Sequence, residues 1–204
     1  MTHLKRQKMP NTWPLKRKGT KYLAIGINKN SIPAIIFLRD IMKLGENKKE
    51  IKKIIHDKMI KINGKIIHDD KYALRLFDVL EIGGKKFKIM LKNKKFCHES
   101  ANENKKIAKI IGKKIIKGNK MQINLNDSRN YLLKEKANVG DSVIIDFDKK
   151  KIEILPFEEK SEAIFISGKH IGETGKIESI GKIIIVNIGG RKINADKKNL
   201  MVIK

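Results

Sequence analysis

The stretch GKHIGETGKI, residues 168–177, carries three glycines, the last followed by a lysine. Its first reading is a phosphate-binding loop. That loop requires G-x-x-x-x-G-K-[ST] opening a helix. Counting back from Gly175-Lys176, the first required glycine falls at His170, and the magnesium-binding hydroxyl would fall at Ile177. The residues that follow, KIESIGKIIIVNIGG, alternate as strands do. Three requirements fail, so the stretch is no nucleotide site. What remains is a hairpin loop whose glycines permit tight turns. Gly172 is expected at positive φ or at a close backbone approach. Exposed amides, Lys169, His170 and Lys176 would face a partner.

Outward from this loop, residues 161–204 hold AIFIS, KIESI, KIIIVNI and NLMVI, short strands with glycine turns that suggest a small barrel. Residues 93–160 read mostly as strands separated by KGNK, NDSRN and FDKKK, which predicts a central β-domain with one short helix around 100–108. Residues 31–92 read as two helices followed by strands. SIPAIIFLRDIMKLG is expected to be helical from a Ser31 cap to Gly45. NKKEIKKIIHDK gathers Ile51, Ile54 and Ile55 on one face, and Lys49, Lys52, Lys53 and His56 within an arc of about 100° opposite. Asn63-Gly64 and Gly83-Gly84 then mark hairpins. Residues 1–30 show little periodicity and predict an extended basic arm, ordered only on its partner.

Charge is the strongest compositional signal. The 204 residues carry 47 Lys/Arg against 22 Asp/Glu, a formal net charge of +25. An A/T-rich genome would favour lysine, and only six of the basic residues are arginine. Codon bias does not explain the distribution. Residues 1–39 hold nine Lys/Arg and no acid, and residues 105–120 hold seven lysines and no acid. Residues 121–160, by contrast, hold seven basic and eight acidic side chains. Such patches point to nucleic acid, ahead of a membrane surface or an acidic protein.

Other classes find little support. The apolar run AIIFL at 34–38 is far too short to span a membrane, and the basic N-terminus lacks the apolar stretch of a signal peptide, so a soluble cytoplasmic protein is expected. One cysteine, Cys97, excludes a disulfide framework and multi-cysteine zinc sites. Asp69-Asp70 and Glu158-Glu159 are adjacent carboxylates whose side chains diverge. Cys97-His98 lacks a third group to orient a base. No catalytic residue, metal site or cofactor is expected.

The loop at 168–177 resembles the KOW motif of ribosomal proteins and elongation factors, through Ser167-Gly168-Lys169, Gly172, Gly175 and Ile177. That resemblance implies an SH3-like barrel over 161–204. HLKR at 3–6 and the P-x-x-WPLKRKG region at 10–19 resemble the N-terminal arm of the archaeal and eukaryotic small-subunit ribosomal protein family S4e. SIPAIIFLRDIMKLG, KKEIKKII and KINGKIIHDDK are similar to its helical RNA-binding module, shared with the bacterial S4 protein. KGNKMQINLNDSRN and GDSVIIDF resemble its central domain. Two departures stand out. Ser128 replaces the usual glycine of the D-G-R-N turn, and ALRLFDV lacks the proline and glycine common before its D-V pair. The chain ends just after the barrel, which with the composition suggests an archaeal-type source.

The resemblance implies an α+β, multi-module protein: arm 1–30, S4-type helical module 31–92, central β-domain 93–160 and KOW barrel 161–204. It implies a structural constituent of the small ribosomal subunit, ribosome-bound, with small-subunit rRNA and neighbouring ribosomal proteins as partners. No membrane or small-molecule substrate is expected. The alternatives are an RNA-modifying enzyme carrying the same helical module, and a free KOW-type regulatory factor. Residues 93–160 are too few for the catalytic domain of the first. Candidate RNA contacts in the arm are His3, Lys5, Arg6, Lys8, Lys16, Arg17, Lys18 and Lys21. In the helical module they are Arg39, Lys49, Lys52, Lys53, His56, Lys61 and Lys65. In the central domain they are Lys113, Lys114, Lys117 and Arg129, and in the KOW loop Lys169, His170 and Lys176, with Gly168, Gly172 and Gly175 shaping the loop.

Overall fold

A computed structural model describes residues 3–25, 30–116, 120–133 and 135–204. The chain divides into two compact units, Met1–Asn104 and Lys105–Lys204. Both are rich in antiparallel strands, and the longer helical segments belong to the first. The fold is α+β and predominantly β.

In the first unit, β1 (His3–Lys5) pairs with β2 (Tyr22–Ile25) and β3 (Ser31–Pro33) pairs with β6 (Ala73–Arg75). Helix α1 (Ala34–Ile36) continues as a wider π-type stretch, Phe37–Ile41, and α2 spans Lys48–His56. Strands β4 (Ile60–Ile62), β5 (Lys65–Ile66), β7 (Val79–Ile82), β8 (Lys85–Lys92) and β9 (Lys95–Ala101) form a sheet in the order β5-β4-β7-β8-β9. The hairpins at Asn63-Gly64 and Gly83-Gly84 form as expected, with positive φ at all four residues. The apolar face of α2 is buried through Ile51 and Ile55, as its 3.6-residue period requires.

Four readings need correction. Ser31 does not cap a helix: it lies in a strand, and the helix starts after Pro33, whose φ of −61° and ψ of 139° are extended. Proline disfavours helical geometry in the residue before it, which keeps Ile32 extended and able to pair with Leu74. The helical segment also ends before Gly45, because Lys43 adopts φ 55°. Residues 95–101 pair with β8, so they complete the first sheet instead of opening the central domain. The short helix expected around 100–108 does not form: this stretch completes the strand Lys95–Ala101 and opens the long strand Lys105–Ile116.

The N-terminal segment differs most from expectation. Within the described residues 3–25 it is a closed loop anchored in the first unit. Trp13 and Met9 are buried, and Trp13 Nε1 donates to Ser31 O at 3.0 Å. Phe96 N–H donates to Thr12 O at 2.9 Å, and Lys95 Nζ to Asn11 O at 2.6 Å. Two buried apolar side chains supply the driving force that the segment's weak periodicity conceals.

The second unit contains two five-stranded antiparallel sheets. Strands β10 (Lys105–Ile116), β11 (Lys120–Leu125), β12 (Asn130–Leu133), β13 (Ser142–Asp146) and β14 (Lys151–Leu155) form the order β12-β11-β10-β13-β14. Ala108, Ile110, Ile123, Leu125, Val143 and Ile145 fill its core. Strands β15 (Glu162–Phe165), β16 (Thr174–Ile180), β17 (Ile184–Ile188), β18 (Arg191–Ala195) and β19 (Leu200–Val202) form the order β18-β17-β16-β15-β19. A 3-10 turn at Lys197–Asn199 brings the chain back to pair β19 with β15. Phe157, Phe165, Ile177, Val186 and Leu200 are among its core residues.

Both sequence departures are resolved by backbone geometry. Ser128 adopts φ 64° between Leu125 and Arg129, whose backbones bond at 2.9 Å, so the turn keeps a glycine-like conformation. Phe77 adopts φ 62° just before the Asp78-Val79 pair and is buried. Asp78 fixes this corner: it accepts from Arg75 N–H at 2.7 Å and from Asn63 Nδ2 at 2.7 Å.

Candidate RNA interface

The sheets and α2 place most of the candidate cations at the surface, but with different partners. On α2, Lys49, Lys52, Lys53 and His56 are exposed while Ile51 and Ile55 are buried, so the helix separates the two faces as its spacing predicts. Glu50, the acid of this helix, accepts from Glu46 N–H at 2.9 Å and Asn47 Nδ2 at 3.2 Å. The Glu46 bond, with that from Asn47, holds its carboxyl below the ordinary range. Its charge is thereby committed to the N-terminal turn, where the helix dipole also favours it.

Lys49 and Lys53 have no ion-pair partner among the described residues. Lys52 lies 4.0 Å from Asp70 and Lys48 3.7 Å from the same carboxylate. His56 lies 3.8 Å from Asp57. Arg39 is held by its neighbour Asp40 through two contacts at 2.8 and 3.1 Å. Lys61 forms a cross-strand pair with Glu81 at 3.1 Å, and Lys65 is exposed beside the Asn63-Gly64 turn. Sequence reasoning missed Lys48 and Lys71. With Arg39, Asp70 and an apolar floor of Leu23, Pro33, Ile35 and Ile36 they line a cleft of about 60 Å³. The long-range pairing that brings Asp70 to this helix has no local sequence signal.

In the N-terminal loop, His3, Lys5, Lys8, Lys16, Lys18 and Lys21 are exposed. None of those five lysines has an ion pair among the described residues. Lys21 lies over the Tyr22 ring at 5.5 Å, and His3 meets the same ring edge-on at 5.9 Å. The two arginines behave otherwise. Arg6 donates to Thr20 O at 2.9 Å, Lys16 O at 3.0 Å and Thr20 Oγ1 at 3.0 Å. Arg17 donates to Gln7 O at 2.8 Å, to Met9 O at 3.4 Å and to Asn11 Oδ1.

In the second unit, Lys114 is exposed on β10, whereas Lys113 donates to Ala137 O and Asn138 Oδ1, both at 3.1 Å. Lys117 lies outside the described residues. Arg129 sits 3.8 Å from Asp127 and 5.8 Å from the Phe147 ring centre. The loop between β15 and β16 places Lys169 at the surface, and Lys176 is exposed on β16. His170 is half-buried, 3.0 Å from Glu173 Oε2 and 5.8 Å from the Phe165 ring. Gly168 and Gly172 have φ of 91° and 85°, the left-handed region expected of Gly172. Gly175 serves differently: a Cβ there would lie 2.5 Å from Asn187 O.

Lys49, Lys53 and the five lysines of the N-terminal loop thus have no ion pair among the described residues, while Arg39, Lys52, Lys61 and Arg129 lie beside carboxylates. A family model described as Ribosomal family S4e matches residues 84–152. The chain is 35% identical over 193 residues to the small ribosomal subunit protein eS4 of Methanothermobacter thermautotrophicus, covering 87% of this chain and 78% of that one. It is 31% identical over 188 residues to the eS4 protein of Methanocella arvoryzae, covering 87% and 80%.

The chain belongs to the S4e family. A crystal structure of the 30S ribosomal protein S4e from Thermoplasma acidophilum matches the fold with a TM-score of 0.73 at 24% identity, over 86% of this chain and 96% of that one. The S4e family consists of structural ribosomal proteins, not enzymes, which removes the RNA-modifying alternative.

Proposed function

We propose that this S4e chain is a structural constituent of the small ribosomal subunit that binds small-subunit rRNA through lysine-rich faces. The observation that carries the reading is the two-faced helix α2. Ile51 and Ile55 are buried while Lys49 and Lys53 stand exposed without an ion pair among the described residues. Structured RNA is recognised through shape, phosphates and 2′-hydroxyls, which suits flexible ammonium groups better than a base-reading code.

In this reading residues 31–92 act as an S4-type RNA-binding module. The five-stranded sheet of 161–204 is an SH3-like KOW barrel that presents Lys169 on its glycine loop and Lys176 on β16. Lys5, Lys8, Lys16, Lys18 and Lys21 add phosphate contacts, and neighbouring ribosomal proteins are further partners. The protein resides in the cytoplasm on the ribosome. Arg39, Lys61, Lys113 and Arg129 contribute less, since each already has an internal partner.

The test is binding to in vitro transcribed small-subunit rRNA across a salt series, paired with sedimentation through a high-salt gradient. With six or more phosphate contacts, affinity falls by about a thousandfold or more between roughly 50 and 200 mM salt. Binding insensitive to salt, or absence of the protein from small subunits in a parallel low-salt gradient, overturns the reading; release as the salt rises is the expected outcome.

A further inference from the structure

Arg6 and Arg17 reach past each other along the N-terminal loop. Arg6 spans forward to the backbone of Lys16 and Thr20, and Arg17 spans back to that of Gln7 and Met9. Both forks are spent on carbonyl oxygens at the opposite end of the loop, a use that suits guanidinium's planar, multiply donating geometry and not an ammonium. A third feature points the same way. Gly19 adopts φ 134°, and a Cβ at that position would lie 3.2 Å from the Arg6 guanidinium carbon. The backbone there has been kept clear for the arginine. From the other side, buried Trp13 and Met9 and the Lys95 ammonium fix the middle of the loop to the first unit.

We propose that Arg6 and Arg17 are positioning residues: they staple residues 6–20 into a preformed loop that presents Lys8, Lys16 and Lys18 to an RNA phosphate backbone, and they make no essential phosphate contact themselves. The inference rests on the RNA-binding reading above, and adds that the surface is preorganised before RNA arrives. A disordered basic arm would lose conformational entropy on binding, and a stapled loop has already lost it, so affinity per lysine is higher.

Charge-conserving variants separate stapling from contact. In the full-length chain, Arg6→Lys with Arg17→Lys keeps every positive charge and every trypsin site but removes both forks. Affinity for the small-subunit rRNA transcript should then fall about tenfold at every salt concentration, with the salt slope unchanged. Trypsin cleavage within 6–21 of the free protein should accelerate by a similar factor. Gly19→Ala, which obstructs Arg6 without touching any charge, should reproduce both effects. Lys16→Gln with Lys18→Gln should instead lower the slope by about 1.4 to 1.8 and leave trypsin resistance of the remaining sites intact.

The proposal is overturned if the double lysine variant binds and resists trypsin like the parent. It is equally overturned if that variant reduces the salt slope, since the arginines would then be phosphate contacts. The proteolysis readout needs no RNA. If the parent itself shows no salt-dependent binding, the RNA-binding reading fails, while accelerated cleavage would still establish the staple. A parent chain cleaved as fast as the double variant would remove it.

Discussion

Lys106 Nζ lies 2.6 Å from Asp127 Oδ2, and both side chains are almost wholly buried, at 2% and 3% exposure. The pair joins β10 to the turn that follows β11. Burial raises the Asp127 carboxyl pKa. The Lys106 charge and hydrogen bond, with help from Arg129, override that and hold it below the usual range. Burying two charges costs several kcal/mol, which their attraction offsets only while both are present.

Asp127→Ala should therefore destabilise the second unit by about 3–5 kcal/mol, because it removes the carboxylate that balances a buried ammonium. Lys106→Met with Asp127→Leu should recover most of that loss. Because the folded pKa is depressed, the stabilisation is complete above the unfolded value of about 3.9 and disappears as pH falls through the folded one. Urea unfolding from pH 7 down to 2 checks this. A double variant as unstable as Asp127→Ala would show that shape, and not charge, is what the site requires.

Lys109 provides the alkaline counterpart. It is buried, donating to Lys198 O at 3.2 Å and to Lys197 O. Burial, then the nearby Lys197 charge, lowers its pKa to about 8. Between that value and the unfolded lysine pKa of about 10.4 the unfolded chain binds more protons, so stability rises with pH across this window. Urea midpoints at pH 7, 8, 9 and 10 should show that rise relative to Lys109→Met. Parallel curves for the two proteins would refute it.

What the sequence disclosed and what it hid follow one physical division. Local chemistry was readable: Asn63-Gly64 and Gly83-Gly84 turn because both positions of each pair take positive φ, and α2 segregates Ile51 and Ile55 from Lys49 and Lys53 by periodicity. Long-range pairing was not. Ser31 looks like a cap until Arg75 is placed opposite it, and Lys106 looks like a solvated charge until Asp127 is. The N-terminal loop hid its order because one tryptophan, Trp13, supplies an anchor that no repeating pattern announces. The candidate cations were found by type, but their availability was set by partners such as Glu81 and Ala137 O that only folding brings within reach.

Ser128 offers a gain in stability. Its φ of 64° is left-handed, where a side chain costs about 1–2 kcal/mol, against roughly 0.5–1 kcal/mol for the extra freedom of glycine unfolded. Ser128→Gly should stabilise the second unit by up to about 1.5 kcal/mol and raise its thermal midpoint. A lower midpoint would mean that the serine's own interactions outweigh its backbone strain.

The two faces of α2 can be separated by charge and by burial. Lys49→Glu with Lys53→Glu should leave the melting temperature nearly unchanged and weaken rRNA binding, because both side chains are exposed. Ile51→Asp should unfold the first unit, since it places a carboxylate at a fully buried position. If both variants melt alike, the faces do not divide as described.

Gly172 of the β15–β16 loop and Gly175 of β16 should differ in the kind of damage they suffer. At Gly175 a methyl group would lie 2.5 Å from Asn187 O and 2.8 Å from the side chains of Val186 and Ile188. Backbone cannot yield as a flexible side chain does, so Gly175→Ala should separate β16 from β17 and cost about 3 kcal/mol. Gly172→Val meets a different barrier, a φ of 85° that a β-branched residue scarcely adopts, and should cost more than about 1 kcal/mol. Lys169→Ala touches neither constraint; it should melt like the parent while weakening subunit association modestly. Thermal melts of all three, with rRNA footprinting by the parent and by the chain lacking residues 161–204, distinguish architecture from contact. Protection patterns identical with and without those residues would leave the glycine costs standing but assign the loop to a protein neighbour, and RNA binding would then rest on the first unit and the central sheet.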